Sequence, residues 1–288
     1  MTAKKINELT AKTPVSTDVI PVADPVTGIA GKSTIAQILT AALPTPNLAT
    51  TGWLFGVNQA ATGYEIIPAN PADFLSRIPT SSTAIAFRGI LVSARFGVGG
   101  GAAYSSLSSL ILSDLTILTS NSSVSLLVSN YSALTYFEAF SLVYCVGGVV
   151  VTSCPLLQTL NFRALQNANS ITVSSNSQLS SLFFQSLKYC NQDFTVSGCP
   201  LLTTMPVIPS SNLIKGIGGS VILTGNALDV STVDNWLDGL SKMDGTNGKW
   251  LYSNNSVNLS GGTNAVPSAT GLAAKAILVS RGCTVTHN

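Results

Sequence analysis

Charge is what this chain has least of. It carries 14 Lys and Arg and 12 Asp and Glu in 288 residues, 9% charged with a net charge of +2, against roughly 25% charged in ordinary soluble domains. So weak a field leaves no basic footprint for nucleic acid. Histidine is rarer still: the single one is His287, so a Ser-His-Asp or Cys-His arrangement would have to be built on a chain end. No GxSxG occurs, and no cluster of His, Cys and carboxylates has metal-ligand spacing. No apolar run reaches the length of about 18 residues that marks a membrane span, and MTAKKINEL lacks the apolar core of a secretory signal, so neither insertion nor conventional export is expected. The five cysteines, Cys145, Cys154, Cys190, Cys199 and Cys283, show no CxxC pair and are odd in number. They read as free thiols filling apolar space, with no zinc site and no closed disulfide framework. No cofactor is expected.

What is present is apolar and small-polar: 45% hydrophobic residues, ample for a core, with Ser, Thr and Asn supplying the water-facing surface. The stretch GIAGKST (Gly28 to Thr34) resembles a phosphate loop, but Val26 stands where the first glycine of GxxxxGK[ST] belongs. The residues before it hold two prolines, which a central strand does not accommodate. The local reading is an extended piece from Asp18 to Val22, a turn at Gly28 to Gly31, and a helix over Ile35 to Leu43 capped by Ser33 or Thr34. Residues 46–90 are punctuated by Pro46, Pro68, Pro71 and Pro79 and read as an extended connecting region, with Trp53, Phe55 and Tyr64 needing cover.

Internal repetition decides the fold expected for the middle. Tyr144-Cys145 with VVVTSCPLLQTL recurs as Tyr189-Cys190 with FTVSGCPLLTTM at an offset of 45, and ITVSSNSQLSSL falls between them, so the period is 22 to 23. Val128, Val151, Val173 and Val196 are equivalent, as are Cys154, Asn176, Cys199 and Asn226, and Leu157, Leu179 and Leu202. The upstream copy around Tyr131 and Leu134 and a degenerate one over Leu107 to Leu115 complete a solenoid spanning residues 91–230. Its consensus, apolar-x-V-[ST]-x-[CN]-x-x-L-x-x-L, is similar to the leucine-rich repeat with Cys-Pro at the ladder position; a generic β-solenoid is the alternative, since the linking segments are poor in helix formers. The fold class expected is therefore mainly β, with a small α/β module over 1–45 and an α+β capping unit over 231–288. In that unit Ser231 and Asp234 read as a capping box, WLYS (Trp250 to Ser253) and SVNLSGG (Ser256 to Gly262) as strands, Ser268 to Ser280 as a second helix, and Cys283 to His287 as a last strand.

Ile6 and Leu9, then Asp18, Ile20 and Pro21, then Lys32, Ser33 and Thr34 lie in an arrangement that resembles the N-terminal module of tailed-bacteriophage fibre and virion proteins. The C-terminal run from DGTNG through GLAAKAILVSRGCTVTHN looks like a C-terminal unit of phage and prophage virion proteins and of some bacterial leucine-rich-repeat proteins. The resemblance implies docking of residues 1–45 to other virion proteins, a homotrimer, a place on the outside of the virion, and host attachment in a tail fibre; a head decoration or head fibre protein is the alternative. A capping subdomain without a partner is the plainer reading of the first segment. Tyr131, Tyr136 and Tyr144 are candidates for stacking on a host surface glycan, with burial in the repeat core as the competing reading. A polysaccharide depolymerase would need two facing carboxylates, for which the repeats offer only Asp114, Glu138 and Asp193. A bacterial surface adhesin is disfavoured by the lack of a signal sequence.

Overall fold

A computed structural model describes residues 105–112, 115–118, 123–205 and 214–288, together with the backbone of six strands before them. The central region is a parallel β-solenoid whose turns each contribute a strand to three sheets. The first sheet stacks Gly52–Phe55, Ala84–Phe87, Ser109–Ile111, Tyr136–Glu138, Thr159–Asn161 and Ser181–Phe183. The second stacks Val92–Ser93, Ile117–Leu118, Tyr144–Cys145, Asn167–Ala168, Tyr189–Cys190 and Gly216–Ile217. The third runs from Phe96–Gly99 through Val124–Ser129, Gly148–Thr152, Ile171–Ser174, Phe194–Ser197 and Val221–Ile222 to Ser256–Leu259 and Thr284–His287. A leucine-rich repeat carries one strand per repeat; three strands per repeat make this turn that of a β-solenoid.

Alternation sets which residues face inward. In Ile171–Ser174 the first and third side chains are buried and the other two half-exposed, and the neighbouring strands repeat the pattern in register. Val128, Val151, Val173 and Val196 thus form one file on the third sheet, each fully buried. Leu110, Phe137, Leu160 and Leu182 form the matching file on the first sheet, and Leu118, Cys145, Ala168, Cys190 and Ile217 that on the second. Stacking like residues gives a continuous core, with each fully buried Val or Leu contributing about 1.5–3 kcal/mol. An aromatic file runs through it: Phe137 to Phe162 at 5.9 Å, Phe162 to Phe184 at 5.6 Å, Phe184 to Phe194 at 5.7 Å and Phe194 to Trp236 at 5.0 Å between ring centroids.

The corner after the third sheet is a left-handed bend. Asn130, Ser153, Ser175, Gly198 and Gly225 take φ of 62°, 56°, 56°, 64° and 67°, each directly before the ladder position. Asn and glycine tolerate this region best, whereas a β-branched side chain is strained there by about 1–2 kcal/mol. At Gly225 a Cβ would also lie 3.3 Å from the Gly198 backbone nitrogen. Gly225→Val is accordingly expected to lower the unfolding free energy by about 2 kcal/mol, read by urea titration; an unchanged midpoint would contradict the bend.

Two parts differ from what the sequence suggests. Ala30–Thr34 is a strand, paired antiparallel with Val19–Ala23 so that Pro21 faces Lys32 and Ile20 faces Ser33. Ala30 and Gly31 therefore belong to a strand and not to the expected turn, and Ser33 and Thr34 pair across the sheet in place of capping a helix, while Gly28 and Ile29 lie outside the described residues; β-branched Val19, Ile20, Val22 and Thr34 favour pairing. The helix expected over Ile35 to Leu43, and Ile6, Leu9 and Asp18, lie outside the described residues. In the C-terminal unit, helix α1 (Val230–Ser241) is capped by Asp229, whose carboxylate accepts from the Thr232 backbone N–H at 2.7 Å. Ser231 and Asp234 form no capping box, because the helix starts earlier; Asp234 instead accepts from the Ser268 backbone N–H at 2.9 Å, at the start of helix α2 (Ala269–Ser280). Trp250 to Ser253 makes a single bridge, Leu251 to Asp244, in place of a strand. Ser256–Leu259 and Thr284–His287 pair in parallel and continue the third sheet, so the helices are insertions between rungs.

Candidate interaction surface

The ladder positions come together at one corner of the turn. Asn176 is fully buried; its side-chain N–H donates to the Val151 carbonyl at 3.1 Å and its Oδ1 accepts from the Cys154 backbone N–H at 2.9 Å. Asn226 repeats this one Cys later, bonding the Val196 carbonyl at 2.9 Å and the Cys199 N–H at 3.0 Å. An amide matches both an orphan N–H and an orphan C=O at a bend, which a thiol does not. Each Asn thus reaches back to the rung before it, whose own ladder residue is a compact Cys. The sequence shows the equivalence of Cys and Asn but not this division of labour. It also hides Asn264, which occupies the same role in the cap: its Oδ1 accepts from Leu228 N–H at 3.0 Å, and its amide donates to the carbonyls of Leu223 at 2.7 Å and Leu259 at 2.9 Å. Leu157, Leu179 and Leu202 close the corners, each backbone N–H donating to the carbonyl of the ladder residue three positions earlier.

All five cysteines are buried and free. Burial pushes the Cys145 and Cys190 thiols up to about 12, and raises Cys154 and Cys199 as well. At pH 8 Cys145 and Cys190 hold almost no thiolate, the reactive form, and Cys154 and Cys199 hold less than a free cysteine. The native protein is expected to leave Ellman's reagent unreacted over an hour at pH 8, and to release five equivalents once unfolded in guanidinium. Rapid reaction of even one thiol in the native state would contradict the packing described.

The outer faces are built from small polar residues broken by a few aromatics. On the third sheet Thr152 and Ser174 hydroxyls bond across rungs at 2.9 Å. On the first, Tyr136 is 45% exposed and its hydroxyl donates to the Glu138 carboxylate, which raises its pKa. Tyr131 is completely buried, so of the three tyrosines named as sugar-stacking candidates only Tyr136 and Tyr144 are available to a ligand. Of the carboxylates weighed for depolymerase chemistry, Glu138 lies on the first sheet, Asp193 accepts from the Ser220 backbone N–H at 2.7 Å ahead of the third, and Asp114 lies outside the described residues.

The second sheet carries the most distinctive outer face. Its outward row reads Ile117, Tyr144, Asn167, Tyr189 and Gly216, in register from rung to rung. Trp250 lies flat over Gly216: a Cβ at that position would run into the indole, and the Trp250 backbone N–H donates to the Lys215 carbonyl at 2.7 Å. The indole remains 40% exposed and stands 5.3 Å from the Tyr189 ring. Beside this row runs another, Thr116, Val143, Gln166, Lys188 and Lys215, joined by backbone hydrogen bonds from each rung to the last. Lys188 Nζ donates to Gln166 Oε1 at 2.9 Å. Asp244 is occupied by the Thr246 N–H and hydroxyl at 3.0 and 2.7 Å, and the one ion pair among the described residues is Lys242 with Asp238 at 2.6 Å. Among the described residues, no carboxylate forms an ion pair with Lys188, Lys215 or Lys249.

These features define a parallel β-solenoid with a largely small-polar exterior, whose third sheet continues through Ser256–Leu259 to Thr284–His287. Comparison with protein-family models, with curated proteins and with solved structures finds no match for this chain. Among the described residues no group of three or more His, Cys, Asp and Glu is placed to hold a metal ion, and no helix is long and apolar enough to cross a membrane.

Proposed function

We propose that this protein is a non-enzymatic structural component of a tailed-phage virion, a fibre-like appendage docked through residues 1–45 and acting as a homotrimer. The observation that carries the reading is the pairing of an N-terminal segment resembling phage docking modules with a parallel solenoid whose exterior, outside the lysines beside the second sheet, carries little charge. Neutral Ser, Thr and Asn faces pack side by side without like-charge repulsion, as chains of a fibre must. The Cys-Pro ladder that resembles leucine-rich repeats serves here as a stiff spacer, since each rung contacts only its neighbours and adds length without changing section. The carboxylates speak for the non-enzymatic reading, because Glu138 and Asp193 are engaged by different partners at different places on the turn.

Deletion of residues 1–40 tests the docking claim. The truncated protein is expected to fold and to be missing from purified particles; incorporation at normal copy number would defeat it. Gold-labelled antibody against the cap distinguishes the tail reading from the alternative of a head decoration: label along the tail is expected, and label over the shell would replace the fibre assignment.

A further inference from the structure

We propose that the outer face of the second sheet binds an acidic polysaccharide, with sugar rings stacked along Trp250, Tyr189 and Tyr144 and the anionic groups met by Lys188, Lys215 and Lys249. The inference needs only this face, so it stands whether or not the N-terminal segment docks to a particle.

Three independent observations converge. Trp250 is exposed yet fixed: glycine at 216 is what lets the indole lie against the sheet, and its backbone is tied to Lys215. A large apolar ring held immobile at the surface loses little entropy on binding and offers a flat partner to the C–H face of a pyranose. The second observation is spacing. Parallel rungs repeat about every 4.8 Å, so Tyr144 and Tyr189, two rungs apart, present rings about 10 Å apart along the axis. That step suits an extended saccharide chain lying along the row, with Asn167 between them in register offering amide donors and an acceptor to hydroxyls. Third is charge. In a chain with so few ionic groups, lysines fall on consecutive rungs at 188 and 215, Lys249 directly precedes Trp250 in sequence, and the carboxylates of Asp193 and Asp244 hydrogen-bond to Ser220 and Thr246 and pair with none of the three. A neutral glycan gains nothing from that row, whereas a polyanion gains at each step.

Single-stranded nucleic acid also combines stacking with phosphates, but it is bound in grooves of strong positive potential. A net charge of +2 and three lysines on an open face fall short of that. The face therefore favours a sugar chain carrying spaced carboxylates or sulfates.

Full-length protein is tested by affinity electrophoresis and biolayer interferometry at low ionic strength against polygalacturonate, dextran sulfate, neutral dextran and oligothymidylate. Retention by one or both polyanionic glycans is expected, with dextran inert. Trp250→Ala and the triple change Lys188→Gln, Lys215→Gln and Lys249→Gln should each weaken binding by about tenfold, the size of one lost anchor contact. The triple variant removes three charges from half-exposed side chains while keeping polar groups and is expected to keep the native circular dichroism, so its loss reads on binding rather than folding. No retention by either acidic glycan overturns the proposal. So does equal retention by dextran, unchanged binding in a folded variant of either kind, or tighter binding to oligothymidylate than to the glycans.

Discussion

Asn264→Leu is expected to lower the unfolding free energy by about 4 kcal/mol, because it strips three buried backbone groups of their partners at about 1–3 kcal/mol each. The side chain is 4% exposed and joins Leu228 N–H to the carbonyls of Leu223 and Leu259. Leucine is close in size, so the loss does not come from a cavity. It comes from a bend whose N–H and C=O groups have no water to turn to. The same change at a half-exposed asparagine, Asn258→Leu, removes bonds only to Ser260 and should cost about 1 kcal/mol. Urea titration followed by tryptophan fluorescence reports directly, since Trp236 and Trp250 belong to the same C-terminal unit. A loss at Asn264 no larger than that at Asn258 would mean the ladder amides are incidental.

Phe162→Ala has a comparable expected effect by a different route. Phe162 is completely buried between Phe137 and Phe184, at 5.9 and 5.6 Å. Truncation to alanine removes that ring from the middle of the file and leaves a cavity, at about 3–5 kcal/mol. Because each rung touches only its neighbours, the damage falls on one interface in the stack. Unfolding is then expected to lose cooperativity as well as stability, with a shallower denaturant slope and two resolved steps. A single sharp transition with an unchanged midpoint would show that the file does not couple the rungs. Phe162→Leu, which keeps most of the volume, should recover more than half of the loss.

Much of the solenoid is legible in the sequence because its physics is periodic. Val151, Val173 and Val196 recur with the turn length, and a recurring inward position is what a stacked file requires. Cys154 and Asn176 were equivalent by spacing, yet their distinct chemistry was hidden, since the partner of each amide lies one rung away and 22 or more residues off in sequence. Asn264 escaped for a related reason: helix α1 is inserted between it and Asn226, which breaks the period. The number of sheets also lay beyond the repeat consensus. Two-residue strands such as Tyr144–Cys145 leave too short an alternation to announce themselves.

At the site, Tyr144 stood out as an aromatic in a repeat, but Trp250 did not, since nothing local connects it to Gly216. Only the stacked backbone brings them together. The lysine row is hidden for the same reason: positions 188 and 215 are 27 residues apart in sequence and align only once the rungs are stacked. In the N-terminal segment Ser33 and Thr34 suggest helix caps, whereas the pairing of Ala30–Thr34 with Val19–Ala23 puts them, with Gly31, in a strand. Pairing is a property of two segments together, which single-segment preference does not capture.

The inward files and outward rows exist only if the rungs stack in parallel and in register, and cross-linking measures that register. Thr152 pairs directly with Ser174, their hydroxyls 2.9 Å apart, whereas Thr172 lies two residues along the same strand. In-register parallel neighbours fall within the Cα separation of about 4.4–6.8 Å that a disulfide spans. The double variant Thr152→Cys with Ser174→Cys is expected to form its bridge on mild oxidation, found by peptide mapping, with stability kept or raised. Thr152→Cys with Thr172→Cys should remain largely reduced. Equal or greater cross-linking of the second pair would contradict the stacked solenoid on which the account rests.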